Sequence, residues 1–358
     1  MENRIAYTPE FEEVINSLSI SLVLSTYNAN CIFCIGKENG SISFRRIPSF
    51  RPMGLNKDNS SDLIAVSCFA GIFFYSRVTS KLSNRNIYIP KHTVYTGFKD
   101  GHQLEIEEEK VRLVSSTDSS SYLIDIFNRK EKIEKWTPSF IFSPNSSDQC
   151  HLNGLASSKE HIYYTALGKT EKKEEWKREK NKKGILIEVE RESLKERIVS
   201  SSLSLPHSPV VYKEHLYYLE SGKGILNRSS LNKMREKEEV GFFPGFVRGL
   251  CIVKDIAFVC ISKLREKDNI FTKLPIEERG ISLSNTCSIC AVDLNTGKGK
   301  GYLNIYNYLE EKETTEKEEL EKEGTITEIF DILPLQGELP YFALPGEELT
   351  GLHFFSTP

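Results

Sequence analysis

Asp100-Gly-His-Gln-Leu104, His151-Leu-Asn-Gly-Leu155 and Pro206-His-Ser-Pro209 are three copies of one short motif, and each carries a histidine. Weaker copies read Arg51-Pro-Met-Gly-Leu55, Val247-Arg-Gly-Leu250 and Glu328-Ile-Phe-Asp-Ile332. Six spaced copies of a strand-opening motif point to six sheets around one axis. A repeat of this size is one supersecondary unit that must stack on its neighbours to bury its faces. In such a ring the same position of every repeat faces the same place, so residues far apart in the chain converge.

Each motif is followed by three further runs rich in Val, Ile, Tyr and Phe and broken by Gly, Asn, Asp, Ser and Lys. After Leu55 they are 62–68, 71–78 and 86–95, and after Leu104 they are 110–116, 122–127 and 134–140. Four strands per unit, at a spacing of roughly 40–50 residues, is the arithmetic of a propeller blade. The sixth motif comes late, in 325–333, while three unassigned strands (20–27, 30–37 and 41–47) stand at the other end. Closing the last blade with N-terminal strands leaves no open sheet edge to recruit another chain. The expectation is therefore all-β: a single six-bladed β-propeller over 1–358, with blade six drawn from 19–50 and 325–333. Three charged stretches, 169–183, 263–280 and 309–324, read as solvated surface.

Bulk properties narrow the functions. At 358 residues, 39% hydrophobic and 27% charged, the composition is globular, and a net charge of −3 predicts neither nucleic-acid nor anionic-membrane binding. No apolar run reaches the roughly 18 residues of a membrane span. Met1-Glu-Asn-Arg4 lacks the pattern of a signal peptide. A cytoplasmic chain with eight reduced cysteines is expected. Cys31-Ile-Phe-Cys34 and Cys287-Ser-Ile-Cys290 have zinc-like spacing, but both lie in strand-like runs, where residues three apart point to opposite faces. They read as small buried hydrophobes.

Trp136-Thr-Pro-Ser-Phe140, Cys150-His-Leu-Asn-Gly-Leu-Ala156, Leu205-Pro-His-Ser-Pro209, Leu219-Glu-Ser-Gly-Lys-Gly224, Gly245-Phe-Val-Arg-Gly-Leu250, Ser262-Lys-Leu-Arg-Glu266 and Glu328-Ile-Phe-Asp331 occur in this order. With Ser25-Thr-Tyr27 and Arg51-Pro-Met-Gly-Leu55, they resemble a bacterial family of uncharacterised predicted propellers, sometimes fused to tetratricopeptide or sulfotransferase regions. The resemblance runs from about residue 20 to 335 and implies a fold but no activity. The chain departs from the pattern in its Lys/Glu-rich insertions and in Asp100-Gly-His-Gln103, where an acidic residue would follow the histidine.

Inner-strand starts and the loops between second and third strands share one end of a propeller, so function is expected at that rim. Alignment on the Gly-Leu element makes Met53, His102, Asn153, His207, Arg248 and Phe330 equivalent. Two residues earlier stand Arg51, Asp100, His151, Leu205, Phe246 and Glu328. These read as two rungs of the channel wall.

Neutral imidazole is the commonest transition-metal ligand. His102, His151 and His207, with Glu328 as a carboxylate or as an orienting group, are the candidate ligands for one ion of Zn, Fe, Mn, Ni or Cu. Arg51, Arg248 and Arg265 are candidates to clamp a carboxylate or phosphate, the alternative being ion pairs with Glu220, Glu266 or Glu328. Lys263 and Tyr27 are candidate acid/base groups, and Asn153 and Glu220 belong to the same rim set. The leading expectation is a metalloenzyme acting on a small anionic or peptide substrate, its class (hydrolase, lyase or oxidase) open. The alternative is a non-catalytic module that binds a peptide, glycan or partner protein.

Overall fold

The computed structural model describes residues 2–308 and 325–344, except 59, 70, 81–82, 98–99, 128–131, 180–182 and 265–272. Six sheets form the six blades of a β-propeller. Blade two shows the plan: Gly101–Glu107, Lys110–Ser115, Ser120–Asp125 and Lys132–Trp136 run antiparallel from the channel outward. The other inner strands are Leu55–Lys57, Leu152–Ser157, Pro206–Tyr212, Phe246–Val253 and Asp331–Gln336. Blade six pairs the C-terminal Asp331–Gln336 with Ile20–Thr26, followed by Cys31–Glu38 and Ser41–Pro48. The ring thus closes with strands from both ends of the chain.

Three features depart from the sequence reading. The inner strand of blade six begins at Asp331 rather than 325. Glu2–Tyr7 adds a fifth, antiparallel strand to blade five, and Tyr341–Phe342 a short parallel one to blade one. Both cover edges that a four-stranded blade would leave open. Between the first two N-terminal strands, Pro9–Leu18 is an α-helix whose start is written locally. Thr8 accepts from the Phe11 amide, Pro9 opens the first turn, and Phe11, Val14, Ile15 and Leu18 make its buried face. Among the described residues no helix is long and apolar enough to cross a membrane.

The apolar core is divided among the blade junctions, because each sheet buries both faces against its neighbours. Leu22, Leu24 and Phe33 of blade six meet Phe258, Ile289 and Leu303 of blade five, and the helix covers that cluster. On the opposite face of the same sheet, Val23, Ile32 and Cys34 meet Leu55, Ile64 and Val66 of blade one. This alternation separates the CxxC pairs. Cys31 and Cys287 enter the junction between blades five and six, whereas Cys34 faces the junction of blades six and one and Cys290 that of blades four and five. The thiols of one pair cannot share an ion, and all eight cysteines are free.

A ring of side-chain-to-backbone hydrogen bonds supplements the apolar contacts at the channel wall. Asn56 accepts from the Ile106 amide (3.0 Å) and Gln103 from Leu155 (3.1 Å), while Asn153 donates to the Pro206 carbonyl (3.1 Å). Ser208 accepts from Gly249 (3.0 Å), Ser262 from Ile329 (3.1 Å), and Asp331 from Leu55 (2.9 Å), which closes the circle. Every junction between neighbouring blades carries at least one such tie. The motif glycines fit this crowding: a Cβ on Gly54 would lie 2.4 Å from the His102 carbonyl oxygen.

Candidate functional site

The chain enters the inner strands of blades one to four through a left-handed residue: Arg51 (φ 44°), Asp100 (56°), His151 (51°) and Leu205 (49°). Each such non-glycine residue costs about 1 kcal/mol or more, a strain that the surrounding packing must hold. The turn also breaks strand alternation. Residues expected on two separate rungs therefore crowd around one cavity of about 190 Å³ at the channel mouth, with His102, His151, His207, Arg248, Glu328 and Tyr27 in its wall.

Each of the three imidazoles is oriented through its Nδ1. His102 Nδ1 lies 3.3 Å from the Asp100 carbonyl oxygen, and His207 Nδ1 lies 2.9 Å from that of Leu205. His151 Nδ1 lies 2.9 Å from Asp148 Oδ2 and 3.0 Å from Oδ1. Carbonyls and carboxylates only accept, so Nδ1 carries the hydrogen in all three and Nε2 of a neutral ring is left as a lone pair. Burial holds His102 well below the ordinary histidine range, helped by charge on His151, Arg248 and His207 and opposed by the Asp100 carbonyl. Burial and then Arg248 do the same to His207. His102 Nε2 and His151 Nε2 stand 3.2 Å apart. Two lone pairs at that distance repel unless a proton or a cation lies between them.

Arg248 and Glu328 form a pair of their own. Nη1 of Arg248 donates to Glu328 Oε1 at 2.6 Å, both side chains are about 8% exposed, and the guanidinium carbon lies 3.5 Å above the Phe330 ring centre. Its Nη2 lies 3.5 Å from His102 Nε2. Glu328 is thus turned to Arg248 rather than toward the imidazoles. Tyr27 donates to Asp100 Oδ1 at 3.3 Å, and burial, then Asp100, raises its pKa. Arg51 sits at the mouth: its Nη1 donates to the Tyr27 oxygen at 3.4 Å, and its guanidinium lies 5.3–5.8 Å from the rings of Tyr27, Phe50 and Phe69.

The remaining candidates lie elsewhere. Asn153 is absorbed by the inter-blade ring, its amide oxygen taking the Thr165 hydroxyl at 2.6 Å. Glu220 is fully buried in blade four, paired with Lys223 (2.7 Å) and Lys237 (2.6 Å), and these lysines hold its carboxyl below the usual range against the effect of burial. Lys263 lines a separate, smaller cleft with Thr286, Tyr306 and Thr327. Arg265 and the 309–324 run lie outside the described residues. Among the described residues no three His, Cys, Asp or Glu side chains form a ready-made metal cage. His102 and His151 come together as a pair, and His207 faces the same cavity from blade four.

Two residues of this site did not emerge from the sequence reading. Asp148 orients His151, and its signal is the Asp-x-x-His spacing. Trp176 is the other, and it corrects the reading of 169–183 as solvated surface. It is 2% exposed, its indole lies 4.5 Å from the His151 ring, and its Nε1 donates to Asp148 Oδ2 at 3.2 Å. With Leu167, Leu205, Phe246, Leu274 and Ile276 it forms an apolar roof beside the cavity. The clue was an indole stranded among lysines and glutamates. Trp176→Phe keeps an aromatic ring but deletes a hydrogen bond to a charged group and part of the buried indole, so stability should fall by at least about 1.5 kcal/mol, read from the urea midpoint. An unchanged midpoint would show that the indole N–H does not hold Asp148.

The family described as Domain of unknown function (DUF4915) matches residues 9–341. The chain belongs to that family. This DUF4915 chain aligns with a chain of a nidogen/laminin complex at TM-score 0.58 and 10% identity, covering 89% of this chain and 99% of that one. A protein of unknown function from Bacteroides caccae aligns at TM-score 0.53 and 13% identity, with the same coverage. At these identities the likeness shows the propeller fold alone. No curated protein matches the DUF4915 chain.

Proposed function

We propose that the rim cavity is a metal-assisted site for a small anionic substrate. Nε2 of His102 and His151 would be the first ligands of one transition-metal ion (Zn, Fe, Mn, Ni or Cu), with His207 on the facing wall. One observation carries this reading: all three rings spend Nδ1 on a carbonyl or carboxylate, and the Nε2 atoms of His102 and His151 meet at 3.2 Å. Ligating histidines are oriented in this way, through hydrogen bonds from the ring nitrogen that does not bind the metal. A bound ion would polarise a substrate oxygen or activate water.

The chain's own groups divide the remaining work. Asp148 holds the His151 ring and Trp176 packs against it, while Phe330 packs against the His102 ring. Arg51 makes no ion pair among the described residues and is the group placed to take the substrate's carboxylate or phosphate at the mouth. The cavity has room for about six waters' worth of liquid volume, which suits a small molecule or the end group of a peptide.

Elemental analysis of protein purified without chelators tests the proposal. The expected result is one transition-metal ion per chain, lost in both His102→Ala and His151→Ala while the propeller still unfolds cooperatively. A metal-free wild type would favour the second reading, a binding module for a peptide, glycan or partner protein. The Arg248–Glu328 pair, which takes up one candidate ligand, supports that reading. Capture of such a partner, lost in Arg51→Ala, would establish it.

A further inference from the structure

The other end of the channel holds a larger cavity of about 490 Å³, walled by the inner strands of all six blades. Aliphatic side chains, among them Leu104, Leu155, Val210, Leu250, Ile252 and Leu333, stand in that wall beside polar groups of the inner strands. Its polar groups are almost all engaged. Lys57 is held by Asp62 at 3.0 Å, and Asn56, Gln103 and Asp331 accept backbone N–H groups in the inter-blade ring. Gln336 donates to the Ser19 carbonyl at 2.7 Å.

Glu105 is the exception. Its Oε2 is buried on the side of the Ser157 hydroxyl of the next inner strand, and the carboxylate makes no ion pair among the described residues. Arg112 stands directly opposite Glu105 across the blade-two hairpin. Its donors go elsewhere, Nε to Glu107 at 2.9 Å and Nη1 to Glu134 at 2.7 Å. Arg191 also goes to Glu107, at 3.1 Å. Three carboxylates (Glu105, Glu107 and Glu134) therefore face two guanidiniums (Arg112 and Arg191), which leaves one negative charge, on the channel side. Burial, aided by Glu107, raises the Glu105 pKa against the pull of Ser157, Arg191 and Arg112.

We infer that this mouth is a second binding site, for a small organic ammonium ion with an apolar body, its charge paired with Glu105 and its body against the aliphatic wall. An inorganic cation would leave the wall unused, and an anion would meet the wrong sign. The volume falls in the roughly 300–1,000 Å³ range of small-molecule pockets. The inference is independent of the metal proposal, since the two cavities share no lining residue.

Calorimetric titration with n-hexylammonium chloride tests it, with hexanol and sodium hexanoate as charge controls. The wild type should bind one hexylammonium per chain at least about tenfold more tightly than either control, a difference of about 1.4 kcal/mol. Glu105→Gln, which keeps the shape and removes the charge, should abolish that preference, and Glu105→Ala should do the same. His102→Ala should bind like the wild type. An Nα-acetyl-lysine amide arm separates sources: binding there assigns the ammonium to a peptide lysine, and binding of hexylammonium alone assigns it to a free amine. Equal affinity of wild type and Glu105→Gln, or no preference for the ammonium over hexanol, overturns the inference.

Discussion

Arg248→Ala should lower the unfolding free energy by about 3–5 kcal/mol, the usual cost of removing one partner from a buried ion pair. The cause is less the lost attraction than what stays behind. Glu328 is about 8% exposed at the channel mouth and would lose the guanidinium 2.6 Å away. The arginine also covers the Phe330 ring at 3.5 Å, so truncation opens a gap against an aromatic face. Urea midpoints of the wild type, Arg248→Ala, Glu328→Gln and the double variant Arg248→Met/Glu328→Gln measure this directly. The double variant should recover more than half of the loss, because neither charge remains to be buried alone. If Arg248→Ala unfolds at the wild-type midpoint, the pair does not hold the rim together. If the double variant is no better than the single one, stacking on Phe330 outweighs charge.

A second large effect should appear as a pH dependence centred on Asp331, which closes the inter-blade ring. Burial pushes its pKa from an ordinary 3.8 up to about 7, against the amides of Leu55 and Ile332 and the charge of Arg248. A carboxyl raised in the folded state holds its proton more tightly folded than unfolded, so folding is favoured at low pH. That contribution is fully present below about pH 4 and is lost as pH rises to about 7, beyond which nothing more changes. At about 1.4 kcal/mol per unit, the span of roughly three units amounts to about 4 kcal/mol. Asp331→Asn keeps an oxygen acceptor for Leu55 and cannot ionise. Its stability relative to the wild type should therefore rise by about that amount between pH 4 and 7. The difference between the two urea-midpoint curves isolates this group, because every other carboxyl cancels. Parallel curves would mean that Asp331 is ionised throughout.

The propeller was legible because its repeat is carried by local signals that tertiary packing does not override: alternating apolar runs, Gly-Leu elements and a regular spacing. The two added edge strands show where legibility stopped. Glu2–Tyr7 is too polar and Tyr341–Phe342 too short to announce itself, and both become strands because a blade edge is there to pair with them. The helix Pro9–Leu18 was readable from Thr8-Pro9 and the spacing of Phe11, Val14, Ile15 and Leu18, yet an all-β expectation passes over it.

At the site the division is sharper. His102, His151 and His207 could be placed at one rim by repeat position alone, because a closed ring brings equivalent positions together. Which groups they would meet there could not. Sequence chemistry treats Arg51 and Arg248 alike, but the ring sets Arg248 against Glu328 and leaves Arg51 over three aromatic rings. Asn153 and Glu220 look like site residues and are taken up by a neighbouring blade and by two lysines. Trp176 looks like loop surface and packs on His151. Repeat periodicity alone determined the architecture and the rim at which imidazoles gather. Only the closed structure decided which charges are paired, which donors are taken and which carboxyl is left unmatched, because those outcomes depend on contacts between blades that no local stretch of chain encodes.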